Sequence, residues 1–450
     1  MEKKTRLEHD SLGEVEVDAE RLYGAQTERS RLNFHISNNK MPAEIISALA
    51  LIKKACAQVN RDTGKLCAEK AAAISDAADA IIANKFPNEF PLSVWQTGSG
   101  TQTNMNVNEV ISHIAPSLHP NDDVNMSQSS NDVFPSAMSI AALLKIKNEV
   151  CTSANALADA FRKLEEREKD IIKIGRTHFQ DAVPLRFSDE VSGWRSSIEA
   201  SIEMLDDSCK YLSRLALGGT AVGTGIGTPA GFDEKVCAYI SKETGFEFTP
   251  DKNKFHALSS KDAFVFAHGA LKALAANLIK IAGDIRILSS GPRCGIGEIN
   301  IPQNEPGSSI MPGKVNPTQC EALTMVGVQV TGNDAAVAFA ASQGILELNV
   351  YMPLIAFDTL WSCDLLSGAM DAFRENCVCG ITANREKIKQ NLENSLMLVT
   401  ALTGTIGYDA AAKIALNAHR KGITLRESAL ALGLCDADTF DRLTKPENMI

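Results

Sequence analysis

Hydrophobic positions in this chain repeat with a helical period over long distances. From Phe264, the apolar residues Ala267, Leu271, Leu274, Leu278, Ile281, Ile285 and Leu288 follow at steps of three and four, with Lys272, Lys280 and Asp284 on other faces. This heptad seam predicts a helix longer than the common 8–20 residues. A looser seam runs through Val191, Trp194, Ile198, Met204 or Leu205, and Leu212. Segments 138–174, 317–348 and 351–377 also read as long helices. Five such helices in mid-chain predict a mostly α fold built on a bundle packed at shallow angles. On the flanks, 13–17 alternates like a strand, 43–61 and 68–83 read as helices, and a Gly/Thr/Asn-rich loop region follows. After 384 come shorter helices, with a capping box at Thr424-Leu425-Arg426-Glu427. The three successive segments are 1–126, 127–384 and 385–450. Ala-rich faces within 335–341 predict helices packed on several sides, in an oligomer that shares its bundle or in a close-packed monomer core.

Composition narrows the class. The 450 residues are 44% hydrophobic and carry a formal net charge of −10, which disfavours nucleic acid as a partner because that demands a basic footprint. No stretch approaches the roughly 18 uncharged apolar residues of a membrane helix. Residues 1–10 lack the apolar core of a signal peptide and hold too many acids for a transit peptide, so a cytoplasmic location is expected. The eleven cysteines, with Cys377-Val378-Cys379 the only close pair, suit reduced, mostly buried thiols rather than a metal site.

Candidate chemistry concentrates in polar runs that no amphipathic pattern explains. The richest is Gly307-Ser308-Ser309-Ile310-Met311-Pro312-Gly313-Lys314-Val315-Asn316-Pro317. Lys314 supplies a charge, Asn316 a neutral donor, and either serine a base, a nucleophile or another donor, in a loop punctuated by Gly and Pro. It is not a phosphate-cradling P-loop: five residues separate Gly307 from Gly313, and Val315 stands where a hydroxyl would hold magnesium. Residues 96–109, Gln96-Thr97-Gly98-Ser99-Gly100-Thr101 to Asn108-Glu109, are suited either to reading an oxygen-rich ligand or to an Asn-capped loop before a helix. Ser127-Gln128-Ser129-Ser130-Asn131-Asp132 precedes a helix, where caps and anion sites both occur. Gly175-Arg176-Thr177-His178-Phe179-Gln180-Asp181 offers a histidine that is either structural or catalytic, and Glu321 is an acid in a first helical turn.

Taken in this order, these segments resemble the fumarase/aspartase superfamily, and within it the class II fumarases. The loop 307–317 matches the superfamily signature, and the likeness runs from Tyr23-Gly24-Ala25-Gln26-Thr27 to Pro446-Glu447-Asn448-Met449. The resemblance implies an N-terminal lyase domain (1–126), a central helical-bundle domain (127–384) and a C-terminal small helical domain (385–450). It also implies a homotetramer with a core of twenty helices, active sites shared between subunits, and neither metal nor cofactor. The implied reaction is reversible hydration of fumarate to (S)-malate by anti addition and elimination through an aci-carboxylate. Ser308 matches the general base, and His178 hydrogen-bonded to Glu321 matches the pair on the opposite side. Lys314 and Asn316 match the carboxylate holders. Ser99, Gly100, Thr101, Ser129, Ser130, Asn131, Thr177, Ser309 and Val315 match the remaining substrate contacts.

Aspartate ammonia-lyase is the alternative; those enzymes typically carry Gln where His178 stands. A catalytically silent structural relative is another alternative. One departure concerns a second dicarboxylate site at His119, Pro120, Asn121 and Asp122. The basic residue that often precedes this run is missing from Ala115-Pro116-Ser117-Leu118, so binding there is expected to be weak or absent.

Overall fold

A computed structural model describes residues 4–450; Met1, Glu2 and Lys3, which begin the 1–10 segment and the expected 1–126 domain, lie outside the described residues. Among the described residues there are seventeen α-helices, whereas the strands form five separate two-stranded pairs. The fold is mostly α.

The regular seam lies in the helix Asp262–Leu288, and all eight of its residues are buried. By length and a mean hydropathy of 1.4 this helix is apolar enough to cross a membrane, with half of its apolar window buried in the protein. Lys272 and Lys280 still interrupt any long uncharged run. In Phe187–Leu212 the looser seam resolves in favour of Leu205, fully buried, over Met204, which is 48% exposed. Leu205 restores the seven-residue step from Ile198 and to Leu212. The expected helix 351–377 is present as Met352–Asn376.

Three expectations need correction. The helix placed at 138–174 already starts at Ser130, passes through a π-turn at Ile146–Val150 and ends at Arg167. Its last stretch is the strand Ile172–Thr177, paired antiparallel with Gln180–Arg186. Alternating β-branched Ile172 and Ile174 fit a pleated strand better than a helical turn. Helix Thr318–Ala341 stops short of 348, where Gly344–Ile345 pairs with Leu348–Asn349. Finally, the supposed loop before 109 is mostly the helix Thr101–Ile114. Asparagines disfavour helices because their amides compete with the backbone. Here those amides are engaged elsewhere: Asn106 donates to Glu89 O at 2.9 Å, and Asn104 and Asn108 donate to Asn125.

Packing groups the chain into two compact units that interleave along the sequence. One comprises Met1–Thr152, Ser201–Ala275 and Val328–Ser367; the other comprises Ser153–Ala200, Ala276–Gly327 and Gly368–Ile450. This division differs from three successive segments because its cuts pass through five long helices, whose two ends belong to different units. In the first unit the buried His268 lies 2.9 Å from Ser362 Oγ and 3.3 Å from Asp334, tying three of these helices together. In the second, Phe161 and Phe187 meet Trp194 edge-on, and Trp194 Nε1 donates to Asp284 at 2.8 Å. The shorter helices near the C-terminus pack on a cluster of their own that includes Leu402, Ile414, Leu425 and Phe440.

Candidate active site

In the first unit two helix N-termini converge. Helix Thr101–Ile114 begins after Gly100, whose φ of 72° is left-handed and whose position leaves no room for a Cβ against the Phe134 ring. Only glycine meets both demands. Just before it, Ser99 Oγ and Thr101 Oγ1 are 2.8 Å apart. Helix Ser130–Lys145 begins with a capping box in which Ser129 N donates to Asp132 at 2.9 Å and Ser129 Oγ accepts from Asn131 N at 3.3 Å. Asn104 Nδ2 donates to Ser130 Oγ at 2.9 Å and pins the two helix starts together. Free N–H groups and the dipoles of both helices thus favour an anion here, despite the negative net charge. Asp132 is not free to oppose it. The carboxylate is buried and accepts from the N–H groups of Ser129, Gly218 and Thr220. Burial pushes its carboxyl up to about 6 against those hydrogen bonds.

The second unit holds the other candidates. His178 and Phe179 form a two-residue hairpin turn closed by the Thr177–Gln180 pair, with φ of 55° and 57°. Such turns favour Asn-Gly, and bulky residues with positive φ are strained. The strain presents His178 at an exposed tip beside Phe179, which is 78% exposed. The hairpin is anchored two residues earlier. Arg176 donates to the fully buried Glu298 through both terminal nitrogens, at 2.9 and 2.7 Å, while Lys173 approaches at 3.2 Å and Asn391 Nδ2 donates at 2.9 Å. Burial raises the Glu298 carboxyl, but Arg176, Lys173 and Asn391 outweigh it and hold the group below the usual carboxylate range.

Nine residues after Glu298 the signature loop begins. Ser308 Oγ accepts the backbone N–H groups of Ile310 and Met311 at 3.2 and 3.1 Å. Asn316 Nδ2 donates to Gly307 O at 2.7 Å and closes the loop at its base. A Cβ on Gly307 would lie 2.0 Å from Lys314 O, so the closure requires glycine. Lys314, Val315 and Glu321 line a cleft of about 1000 Å³ in this unit, together with Arg286.

The candidates therefore fall into two groups: Ser99, Gly100, Thr101, Ser129, Ser130 and Asn131 in one unit, and Thr177, His178, Ser308, Ser309, Lys314, Val315, Asn316 and Glu321 in the other. The expected hydrogen bond between His178 and Glu321 is absent among the described residues of this single chain. His178 stands at a hairpin tip, whereas Glu321 lies in the first turn of Thr318–Ala341 and lines the cleft. At the possible second site, His119 caps the turn Pro120–Val124, its Nδ1 accepting from Asp122 N at 3.0 Å. Asp123, not Asn121, takes the nearby cation, Lys70, at 2.7 Å.

Sequence reasoning missed Arg176 and Glu298, which are 122 positions apart, and the cluster around Lys53. The one available signal was Asn104 and Asn108, whose spacing of four places both amides on one helix face.

Known proteins match the chain end to end. Residues 13–332 match the family described as Lyase, and 398–450 match the one described as Fumarase C C-terminus. A class II fumarate hydratase from Helicobacter pylori is 54% identical, covering 99% of this chain and 98% of its own length. The counterpart from Bacillus subtilis is 52% identical with the same coverage. Among solved structures, the recombinant class II fumarase from Schistosoma mansoni superposes with a TM-score of 0.97 at 43% identity, covering 99% of each chain. Convergent helix starts and a serine cradled by backbone N–H groups thus sit on a chain that belongs to the class II fumarate hydratase family of lyases.

Proposed function

We propose that this protein catalyses the reversible hydration of fumarate to (S)-malate, without metal or cofactor. The observation that carries the reading is Ser308, whose oxygen accepts two backbone N–H bonds in an exposed loop. Hydrogen bonds donated to an oxygen stabilise its anionic form, which a serine acting as a base requires. In the dehydration direction Ser308 removes the C3 proton of malate, and in hydration it returns that proton to C3. Lys314 and the second N–H of Asn316 hold the carboxylate as it gains charge in the aci form. His178, paired with Glu321, manages the departing hydroxyl from the other side. Ser99, Thr101, Ser129, Ser130 and Asn131 supply neutral donors to the dicarboxylate at the two helix starts.

The same reading includes a cytoplasmic homotetramer whose five-helix bundles pack into a shared core and whose sites combine several chains. Two features support it. Met325, Val328 and Phe339 expose an apolar stripe along Thr318–Ala341, a surface suited to burial against another helix. His178 also lacks its expected partner within its own chain, which fits a site completed by another copy.

Adding fumarate to purified protein and following its ultraviolet absorbance tests the activity. Decay without ammonia is the expected result. Decay only when ammonia is supplied would reinstate the ammonia-lyase, and no decay under either condition would leave a silent relative. His178→Asn is expected to lower kcat by about 10²-fold or more, the usual contribution of a positioned acid–base group; near-normal turnover would remove His178 from the mechanism. At His119 weak or absent binding is expected, and dicarboxylate density there in a soaked crystal would refute it.

A further inference from the structure

Lys53, in the helix Ala43–Asp62, is fully buried, and its ammonium donates to two amide oxygens, Asn125 Oδ1 and Gln128 Oε1, each at 2.9 Å. Asp132 faces it through space while its own oxygens are held by backbone N–H groups. Lysine has three donors and no acceptor, so both amides must turn their oxygens towards it. That imposes a direction on everything bonded to them.

Asn125 Oδ1, once turned to Lys53, also receives Asn104 Nδ2 and Asn108 Nδ2, both at 3.3 Å. A flipped Asn104 would set two amide oxygens against each other at that distance. Asn104 must therefore present its nitrogen, whose second N–H goes to Ser130 Oγ at 2.9 Å. Asn125 Nδ2 and Gln128 Nε2 complete the pattern by donating to the backbone oxygens of Gln128, Val124 and Met126. A second observation agrees: Asn104 Oδ1 and Asn108 Oδ1 are buried without a partner. Orphaned buried oxygens are costly, and they persist here because the opposite orientation is barred.

We infer that Lys53 is a positioning residue for substrate: acting through Asn125 and Asn104, it occupies Ser130 Oγ as an acceptor and leaves the Ser130 hydroxyl to donate to a carboxylate at the helix start. This rests on the functional reading above. Without Lys53, Asn125 and Asn104 are free to reverse, and Ser130 turns its hydrogen inward. The lysine touches no substrate; it sets the polarity of a residue that does.

The test compares wild type, Lys53→Met, Ser130→Ala and the double variant in the fumarate assay. Lys53→Met is expected to raise KM about tenfold, the worth of one hydrogen bond to a charged group, while kcat changes far less. In the double variant KM should be no higher than in Ser130→Ala alone, because both changes remove the same donor. An unchanged KM in Lys53→Met, or KM effects that multiply, overturns the proposal. If Lys53→Met does not fold, Asn104→Asp puts an acceptor in place of the donor facing Ser130 Oγ and must raise KM as well; a normal KM there overturns the proposal too. A wild type that does not hydrate fumarate would instead overturn the functional reading itself.

Discussion

Ser308→Ala is expected to lower kcat by about 10²–10⁴, the range for loss of a positioned general base, with little change in KM or stability. The kinetic part follows from geometry: Ser308 Oγ is the only oxygen of its side chain, and two backbone N–H groups converge on it. Methyl in place of hydroxyl leaves those donors aimed at nothing that can take a proton. Stability should barely move because Ile310 and Met311, which own the donors, are exposed and their N–H groups can turn to water. Surface changes of this kind usually stay within about 0.5 kcal/mol. Turnover measured from fumarate absorbance, beside a thermal melt, separates the two effects. If kcat barely moves, Ser308 is not the base.

The largest stability effect is expected at Glu298, where replacement by alanine should cost about 3–5 kcal/mol, the usual result of breaking a buried ion pair from one side. Glu298 is fully buried and faces two cations, Arg176 and Lys173. Lys173 keeps Glu190 at 2.8 Å, but Arg176 loses a two-pronged partner. The effect also carries a pH signature. The folded carboxyl sits below its unfolded value of about 4.3, so its stabilisation is present above that pH and lost as pH falls through the folded value. Urea denaturation should therefore show a large gap between wild type and Glu298→Gln at neutral pH that narrows in acid. A neutral-pH difference below about 1 kcal/mol for Glu298→Ala would refute the argument. Because Arg176 lies two residues before His178, either variant should also depress turnover by loosening the hairpin.

Ser308, Lys314, Asn316 and Glu321 stood out in the sequence as candidates because they crowd into fourteen residues, where composition and spacing are visible together. The capping box of Ser129 and Asp132 was legible in part: the run of polar residues at a helix start was plain, but their division of labour was not. Gln128 serves Lys53, and Asp132 serves Gly218 and Thr220 as well as Ser129. The hairpin at His178 was visible only as a polar run, with no turn assigned, because its turn breaks the residue rules. No Gly or Asn marks it, and only the surrounding anchors hold His178 and Phe179 in a disfavoured conformation.

What the sequence determined by itself is periodic or contiguous: the seam from Phe264 to Leu288, the predominance of helix, the signature loop 307–317 and the resemblance they carry. Helical spacing is a property of neighbours within a few residues, so it survives without knowledge of the fold. Tertiary structure alone decided between Met204 and Leu205, tied Arg176 to Glu298, put Asn125 between Lys53 and Asn104, and left His178 without Glu321 in one chain. Those outcomes join residues up to 122 positions apart, and burial then sets their charge and hydrogen-bond direction. No local window contains both partners of such a pair.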